Sequence, residues 1–231
     1  MQTIGLIGGM SWESSLEYYR IVNEAVKAQL GSLHSAKCVL VSVDFAEIEV
    51  LQRSGRWAEA TAAMIAAARQ VEAGGADLLL ICTNTMHKMA EEVQASVQIP
   101  LVHIADAAAE AILAQGLRKV GLLGTRFTME EQFYRGRLAE KHGLEVLIPG
   151  ETDRAIVHRV IYEELVLGKI LPESKAAYQQ IIAKLVAQGA EGIILGCTEI
   201  GLLIKNEEAE VPLFDTTQIH ALAAVKLALA G

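Results

Sequence analysis

The sequence repeats itself, and this repeat constrains the fold of the chain more than any other feature. Three pairs of segments match, at offsets of 116, 114 and 112 residues: Ile4–Gly8 with Val120–Gly124, Gly75–Thr85 with Gly189–Glu199, and Ile99–Leu101 with Val211–Leu213. Three matches in the same order indicate an internal duplication with a period of about 115 residues. We therefore expect two halves of similar structure.

Within each half, short apolar runs alternate with amphipathic segments. The apolar runs predict strands at 3–7, 38–43, 77–81, 100–104, 120–123, 145–148, 192–195 and 213–215. The amphipathic segments predict helices at 13–29, 56–73, 86–95, 106–114 and 218–230. Nearly continuous apolar strands that alternate with helices are typical of parallel sheets covered on both faces. The predicted fold class is α/β, with two pseudo-symmetric Rossmann-like lobes, each a parallel sheet flanked by helices.

The repeat also predicts how the chain divides. The helix at 106–114 leads into the first strand of the second half. By symmetry, the C-terminal helix at 218–230 should pack beside the first strand of the first half. We therefore predict an N-terminal lobe of residues 1–104 plus 213–231 and a C-terminal lobe of residues 105–212.

Charge and composition exclude several classes of protein. The 231 residues carry 20 Lys and Arg against 28 Asp and Glu, a net charge of −8, which argues against nucleic-acid and membrane partners. No apolar run is long enough to span a membrane, and the N-terminus does not resemble a signal peptide, so we expect a cytoplasmic protein. The three cysteines, Cys38, Cys82 and Cys197, have the spacing of neither a disulfide framework nor a zinc site.

Polar side chains follow the strands at equivalent points of the two halves. The repeat aligns Thr83 with Cys197, and small polar residues come after each. Ligands of parallel α/β sheets collect at the carboxyl ends of the strands, so we expect an active site in a cleft between the two lobes. The alternative is that these residues only cap the helices that follow, a position that Ser, Thr and Asn favour.

Three segments resemble the aspartate/glutamate racemase superfamily, and its aspartate racemase branch in particular. They are Ile4–Ser14 (IGLIGGMSWES), Cys82–His87 (CTNTMH) and Gly196–Glu199 (GCTE). The resemblance covers nearly the whole chain. It implies a cofactor-independent enzyme with two pseudo-symmetric lobes that usually forms a homodimer. It also implies one catalytic cysteine from each lobe, facing opposite sides of the substrate α-carbon.

The chain departs from the family pattern in two places. The first-lobe motif of the family reads Cys-Asn-Thr, whereas Thr83 precedes Asn84 here and Cys82 is displaced by one residue. A shift of one residue along a strand turns a side chain to the opposite face, so we expect Cys82 to pack in the core. Glutamate racemases carry Asp-Ser-Gly after the first strand and Gly-Cys-Thr-His in the second lobe, and this chain carries neither.

The resemblance and the chemistry together predict the roles of two side chains. Cys197 is expected to remove the α-proton of an L-amino acid, helped by a thiol pKa lowered at the start of a helix. Thr83 is expected to supply a proton to the opposite face. The predicted function is a racemase of aspartate and glutamate that acts preferentially on the L-isomers, with no cofactor and no metal.

The remaining predicted site residues bind the substrate. They are Met10, Ser11, Gln52, Asn84, Thr85, Thr125, Thr198 and Glu199. Glu199 could instead tune the Cys197 thiol, and Arg53 and Lys169 are further candidates for binding a carboxylate. His87 could orient the loop around Thr83 or simply pack on a helix face.

Two alternatives stay open at this point. The chain could be another isomerase or a decarboxylase of the same superfamily, because a decarboxylase needs only one protonation. It could also be a non-catalytic amino-acid-binding protein, because a Thr hydroxyl is a poor base.

Overall fold

The computed structural model describes residues 1–231, except for the side chain of Glu207. The strands are β1 (Ile4–Gly8), β2 (Cys38–Ser42), β3 (Leu78–Ile81), β4 (Lys119–Gly124), β5 (Glu145–Leu147), β6 (Gly192–Gly196) and β7 (Leu213–Asp215). The α-helices are α1 (Trp12–Leu30), α2 (Phe45–Arg53), α3 (Trp57–Ala73), α4 (Ala90–Ala95), α5 (Ile104–Ala114), α6 (Arg126–Glu130), α7 (Gln132–His142), α8 (Glu151–Glu163), α9 (Pro172–Ala187), α10 (Ile200–Leu203) and α11 (Thr216–Ala230). Short 3-10 helices lie at Thr85–Met89, Leu165–Leu167 and Asn206–Glu208.

The strands form two parallel sheets. The strand order is β2-β1-β3 in the first sheet and β5-β4-β6-β7 in the second. The α/β class predicted from the sequence is confirmed, because both sheets are parallel and helices connect their strands.

The first compact unit consists of Met1–Ile104 together with His220–Gly231. Its central strand β1 is buried on both faces, as the continuous apolar run predicts. Ile4 and Leu6 pack with residues of α1 and α11, whereas Ile7 packs on the other face with residues of α3. The end of α11 is held beside this strand, where the Gln2 N–H donates to the Ala228 carbonyl at 2.8 Å.

The second compact unit consists of Ala105–Ile219, and its boundary differs from the one expected. Residues 213–219 were expected in the N-terminal lobe with the C-terminal helix. They belong to the second unit because β7 pairs with β6. The Thr216 hydroxyl adds a hydrogen bond to the Leu195 carbonyl at 2.8 Å. The chain therefore changes unit inside α11 and not before β7.

Two local expectations were wrong, and one helix of the first unit was missed. The strand expected at 100–104 is a single bridge between Leu79 and Leu101, because α5 already begins at Ile104. The helix expected at 86–95 is divided into a 3-10 segment and α4. Helix α2 was not expected, although Asp44 marks its start by accepting a hydrogen bond from the Ala46 N–H.

None of the helices in the described part of the chain combines the length and the apolar character needed to cross a bilayer.

Candidate active site

The pairing of strands in the two sheets shows which backbone positions of the two halves are equivalent, independently of the side chains. In the first sheet Gly5 lies opposite Leu79. In the second sheet the repeat equivalent of Gly5 lies opposite Ile193. Thr83 and Cys197 each come four residues after these partners, so backbone pairing gives them equivalent positions beyond β3 and β6.

The backbone of Thr83 is held on both sides. Its N–H donates to the Ile81 carbonyl at 2.8 Å, and its own carbonyl accepts a hydrogen bond from His87 Nδ1 at 2.8 Å. The side chain of Thr83 is half-buried. Its neighbour Cys82 is fully buried among apolar residues that include Tyr18, and this burial raises the pKa of the Cys82 thiol. The expected packing of Cys82 in the core is confirmed.

The loop after β1 contains two of the predicted substrate-binding residues, Met10 and Ser11. It turns sharply at Gly9, whose φ is +91° and where a Cβ atom would lie 2.1 Å from the Val43 carbonyl oxygen. Met10 and Ser11 are both buried, and the peptide bond between them is cis. The Ser11 hydroxyl accepts a hydrogen bond from the Ser14 N–H at 3.3 Å and so caps α1.

Gln52, Asn84 and Thr85 are also buried within the first unit. The Gln52 amide on α2 donates to the Met86 sulfur at 3.0 Å. This contact places Gln52 against the 3-10 helix that begins at Thr85. The structure therefore brings these three predicted site residues to the region that follows β3.

In the second unit, Cys197 and Glu199 form a hydrogen-bonded pair after β6. The Cys197 thiol donates to Glu199 Oε2 at 3.0 Å, and the Thr198 hydroxyl donates to the same oxygen at 2.7 Å. Glu199 is only 2% exposed, so its carboxylate is a buried acceptor for both groups. Three of the predicted site residues thus form one contiguous cluster.

The expected lowering of the Cys197 pKa was wrong. Hydrogen bonds from the N–H groups of Thr198 and Glu199 do lower the pKa of this thiol, as the start of a helix should. Burial and the adjacent Glu199 carboxylate outweigh them and raise the Cys197 pKa well above its usual value. Without a substrate, the Cys197 thiol therefore keeps its proton and donates it in the hydrogen bond to Glu199.

Another predicted residue, Thr125, has a structural contact of its own. Its hydroxyl accepts a hydrogen bond from the Thr128 N–H at 3.3 Å and caps α6. Arg53 and Lys169 are exposed, and Arg53 lies 3.6 Å from a carboxylate oxygen of Glu49.

The alternative that the two motifs only cap helices has little support in the hydrogen bonds. Asn84 and Glu199 occupy the cap positions of the helices that follow, but neither side chain makes a capping hydrogen bond. Their side chains remain oriented by other contacts, such as the pair with Cys197.

Sequence reasoning missed one residue near this cluster. Tyr178 on α9 is buried, and this burial is the main cause that raises the pKa of its hydroxyl, with smaller electrostatic contributions from Cys197 and Glu164. Its hydroxyl donates to the Val157 carbonyl at 3.0 Å. It lies in an ordinary amphipathic helix, so the sequence carried no signal for its nearness to Cys197.

Within the described residues, no group of three or more His, Cys, Asp and Glu side chains is arranged to hold a metal ion.

Comparison with known proteins places this geometry in a family. The model of the Asp/Glu/hydantoin racemase family matches residues 7–224. The crystal structure of a candidate Asp/Glu racemase from Yersinia pestis is 58% identical, with a TM-score of 0.93 over 99% of this chain and 100% of that one. An aspartate racemase homologue from Pyrococcus horikoshii is 37% identical, with a TM-score of 0.86 over 99% and 100% of the two chains.

A more distant relative is the broad specificity amino-acid racemase RacX of Bacillus subtilis. It is 24% identical over 168 residues, which are 73% of this chain and 72% of that protein. Because the family model covers almost the entire chain, including both strand ends described above, the protein belongs to the Asp/Glu/hydantoin racemase family and is an amino-acid racemase.

Proposed function

We propose that the protein racemises acidic amino acids, aspartate and glutamate, without a cofactor and with a preference for the L-isomers. The observation that carries the proposal is the partly buried hydrogen bond from the Cys197 thiol to the buried Glu199 carboxylate. A racemase needs a group that exchanges a proton with the α-carbon, and this pair can both hold and release one. The name of one relative, an aspartate racemase homologue, supports the acidic substrate class, and the name of another, a broad specificity amino-acid racemase, supports racemisation as the reaction.

In the proposed reaction, Glu199 takes the proton of the Cys197 thiol across the 3.0 Å contact. The resulting thiolate removes the α-proton of the L-isomer. The electron pair of the broken C–H bond stays on the α-carbon and spreads into the α-carboxylate of the substrate. Glu199 thus serves as the local base, which explains why a thiol with a raised pKa can still act.

Thr83 completes the inversion by donating its hydroxyl proton to the other face of the carbanion. The hydroxyl then recovers a proton from water, and the pair of Cys197 and Glu199 releases one, so protons balance over the cycle. A Thr hydroxyl donates to a carbanion readily but is a poor base near neutral pH. The Thr83 step therefore limits inversion in both directions.

The predicted binding residues fall into two groups. Met10, Ser11, Gln52, Asn84 and Thr85 in the first unit, with Thr125 and Thr198 in the second, are proposed to bind the carboxylates and the ammonium group of the substrate. The sequence leaves two roles for Glu199, which are substrate binding and tuning of the Cys197 thiol. Its contact with the thiol favours the role of proton acceptor instead.

The preference for L-isomers has a defined meaning for a reversible racemase. Enantiomers have equal free energy in water, so kcat/KM is equal in both directions. The asymmetry appears in exchange without inversion. Cys197 can remove the proton of the L-isomer and return a solvent deuteron to the same face many times for each inversion.

The test is the incubation of the protein with each enantiomer of aspartate and glutamate in D2O. The α-proton exchange is followed by NMR and the inversion by chiral chromatography. We expect the L-isomers to exchange faster than they racemise, and the D-isomers to show no such excess. Equal exchange and racemisation rates for the L-isomers would contradict the role of Thr83. A complete lack of exchange would instead favour a binding protein.

The decarboxylase alternative is tested in the same series with substituted malonates. Rapid release of CO2 from a malonate, with no racemisation of either amino acid, would replace the racemase proposal. The homodimer and the cytoplasmic location remain predictions from the family resemblance and the sequence. Sedimentation equilibrium tests the first, and fractionation of the source cells tests the second.

A further inference from the structure

The first unit contains a cluster of three buried histidines, one of which contacts Thr83. His87, His103 and His220 are each at most 7% exposed. The ring centroid of His87 lies 4.6 Å from that of His103 and 5.7 Å from that of His220. The mechanism proposed above uses none of these side chains. His87 is also the histidine of this cluster that contacts the backbone of Thr83.

The two nitrogens of His87 have distinct partners. Nδ1 lies 2.8 Å from the Thr83 carbonyl oxygen, which can only accept a hydrogen bond. Nε2 accepts a hydrogen bond from the Ile104 N–H at 3.2 Å. The first contact requires a proton on Nδ1, and the second requires none on Nε2. The ring is therefore neutral and fixed in the Nδ1–H tautomer.

This arrangement connects Thr83 to the start of α5 through one rigid ring. The N–H of Thr83 is already engaged by the Ile81 carbonyl, so His87 fixes the second polar group of the same backbone. With both groups held, the peptide on either side of Thr83 has little freedom to rotate. The direction in which the Thr83 hydroxyl points then depends on His87.

We propose that His87 is a positioning residue that aims the Thr83 hydroxyl for the reprotonation step. This inference rests on the proposed function, since it concerns the step assigned to Thr83. Small displacements of a reacting group can lower a rate by roughly a hundredfold. Loss of the contact should thus slow inversion while leaving the exchange that Cys197 performs.

Two substitutions separate the contacts of His87. In H87N, the side-chain amide can reach the place of Nδ1 and donate to the Thr83 carbonyl, but it cannot reach Ile104. In H87Q, the longer amide can reach the place of Nε2 and accept from the Ile104 N–H, but the hydrogen bond to Thr83 is lost. Tyr18→Phe is the matched control. It removes a buried hydroxyl beside the same histidine cluster, and this hydroxyl bonds to His220 and not to Thr83.

The experiment measures the ratio of α-proton exchange to racemisation for L-aspartate in D2O. We expect H87Q to raise this ratio by roughly tenfold to a hundredfold, whereas H87N and Tyr18→Phe leave it near the wild-type value. A merely structural role for His87 would lower both rates together, or lower the amount of folded protein, without moving the ratio. An unchanged ratio in H87Q would overturn the inference and leave the racemase proposal intact.

A second measurement does not depend on activity or on the folding of a variant. Two-bond ¹H–¹⁵N NMR of the wild-type histidine rings reports which nitrogen carries the proton. We expect the Nδ1–H tautomer for His87. An Nε2–H tautomer or a charged ring would overturn the inference, whether or not the protein racemises aspartate. If the wild-type protein neither exchanges nor inverts either amino acid, the proposed function fails, and the positioning role fails with it.

Discussion

The ends of β3 and β6 occupy equivalent positions in the two units but carry different chemistry. Beyond β3, the sequence Cys-Thr-Asn places a thiol in the core and a hydroxyl at the position equivalent to Cys197. Beyond β6, the sequence Gly-Cys-Thr-Glu places the thiol one residue later, against a buried carboxylate. Under the proposed mechanism, one residue of register decides whether a cysteine packs in the core or faces the substrate.

The two strand ends also differ in the space that they leave for a side chain one residue earlier. Gly196 occupies the position equivalent to Cys82, and a Cβ atom there would lie 2.9 Å from both the Leu123 carbonyl oxygen and Leu122 Cδ1. The second unit therefore has no room for a side chain at this position, whereas the first unit buries a thiol there. Duplication preserved the backbone of the two strand ends, while their side chains diverged.

The sharpest test of this comparison is a pair of cysteine substitutions. Cys197→Ala should abolish exchange and racemisation, because it removes the thiol that we propose touches the substrate. Cys82→Ala should keep the activity and lower the free energy of unfolding by about 1–3 kcal/mol, because it leaves a small cavity in the core. Urea unfolding and the D2O assay measure both effects. A loss of turnover in Cys82→Ala as large as that in Cys197→Ala would show that the register argument is wrong.

A second substitution makes the two strand ends alike. Thr83→Cys restores a thiol at the position equivalent to Cys197. We expect racemisation from both enantiomers to rise and the excess exchange of the L-isomers to disappear, because a thiol is a better base than a hydroxyl. Thr83→Ser, which keeps a hydroxyl, is the matched control and should retain the excess. If Thr83→Cys racemises no faster than the wild type, the hydroxyl is not what limits inversion.

The buried His220 of the first unit offers a test by pH. Burial lowers the pKa of His220 from 6.5 to about 4. As the pH falls below about 6.5, the unfolded chain takes up a proton that the folded protein cannot, so stability is lost progressively down to about pH 4. His220 should account for about 2 kcal/mol of lost unfolding free energy between about pH 7 and pH 5.

The control for this test is His220→Asn, which removes the titrating ring but keeps a polar side chain. Tyr18 and His87 pack against the ring of His220, and Tyr18 bonds to its Nδ1. Denaturant unfolding at a series of pH values should show a steeper loss of stability in the wild type than in His220→Asn. Equal slopes would mean that His220 does not stay neutral in the folded protein.

The sequence was sufficient for the fold class, for the packing of Cys82 and for the alignment of Thr83 with Cys197, because periodicity and repeats record backbone pairing directly. It was not sufficient for the pKa of Cys197, which depends on how closely Glu199 approaches the thiol. The sequence also predicted that the chain returns to the first unit at residue 213, whereas it returns inside α11. The reason is that the pairing of β7 with β6 is a tertiary contact that leaves no local signal. The contact of His87 with Ile104 likewise joins segments that the sequence alone does not bring together, whereas its contact with Thr83 lies within one short motif, where the sequence already suggested that His87 could orient the loop.

Tyr18 and Tyr134 are a second pair of residues at equivalent positions of the repeat. The smallest effect that we expect is a difference in the free energy of unfolding when each is replaced. Both rings are fully buried. The Tyr18 hydroxyl lies 2.8 Å from Nδ1 of His220, whose Nε2 lies 2.7 Å from the Val102 carbonyl oxygen, so His220 carries its proton on Nε2 and accepts from Tyr18. Among the described residues, the Tyr134 hydroxyl has no hydrogen-bond partner. At the repeat offset of 112 residues, the sequence has Ala108 where the first unit has His220.

Replacing each tyrosine by phenylalanine should therefore have opposite consequences. Tyr18→Phe leaves a buried acceptor on His220 without its donor and should lower the free energy of unfolding by about 1–3 kcal/mol. Tyr134→Phe removes a buried hydroxyl that gains nothing from its surroundings, so it should leave the stability unchanged or raise it by up to about 1 kcal/mol. Chemical denaturation of the two variants beside the wild type measures the difference. A clear destabilisation by Tyr134→Phe would show that its hydroxyl has a partner, such as a buried water, that offsets the cost of burial.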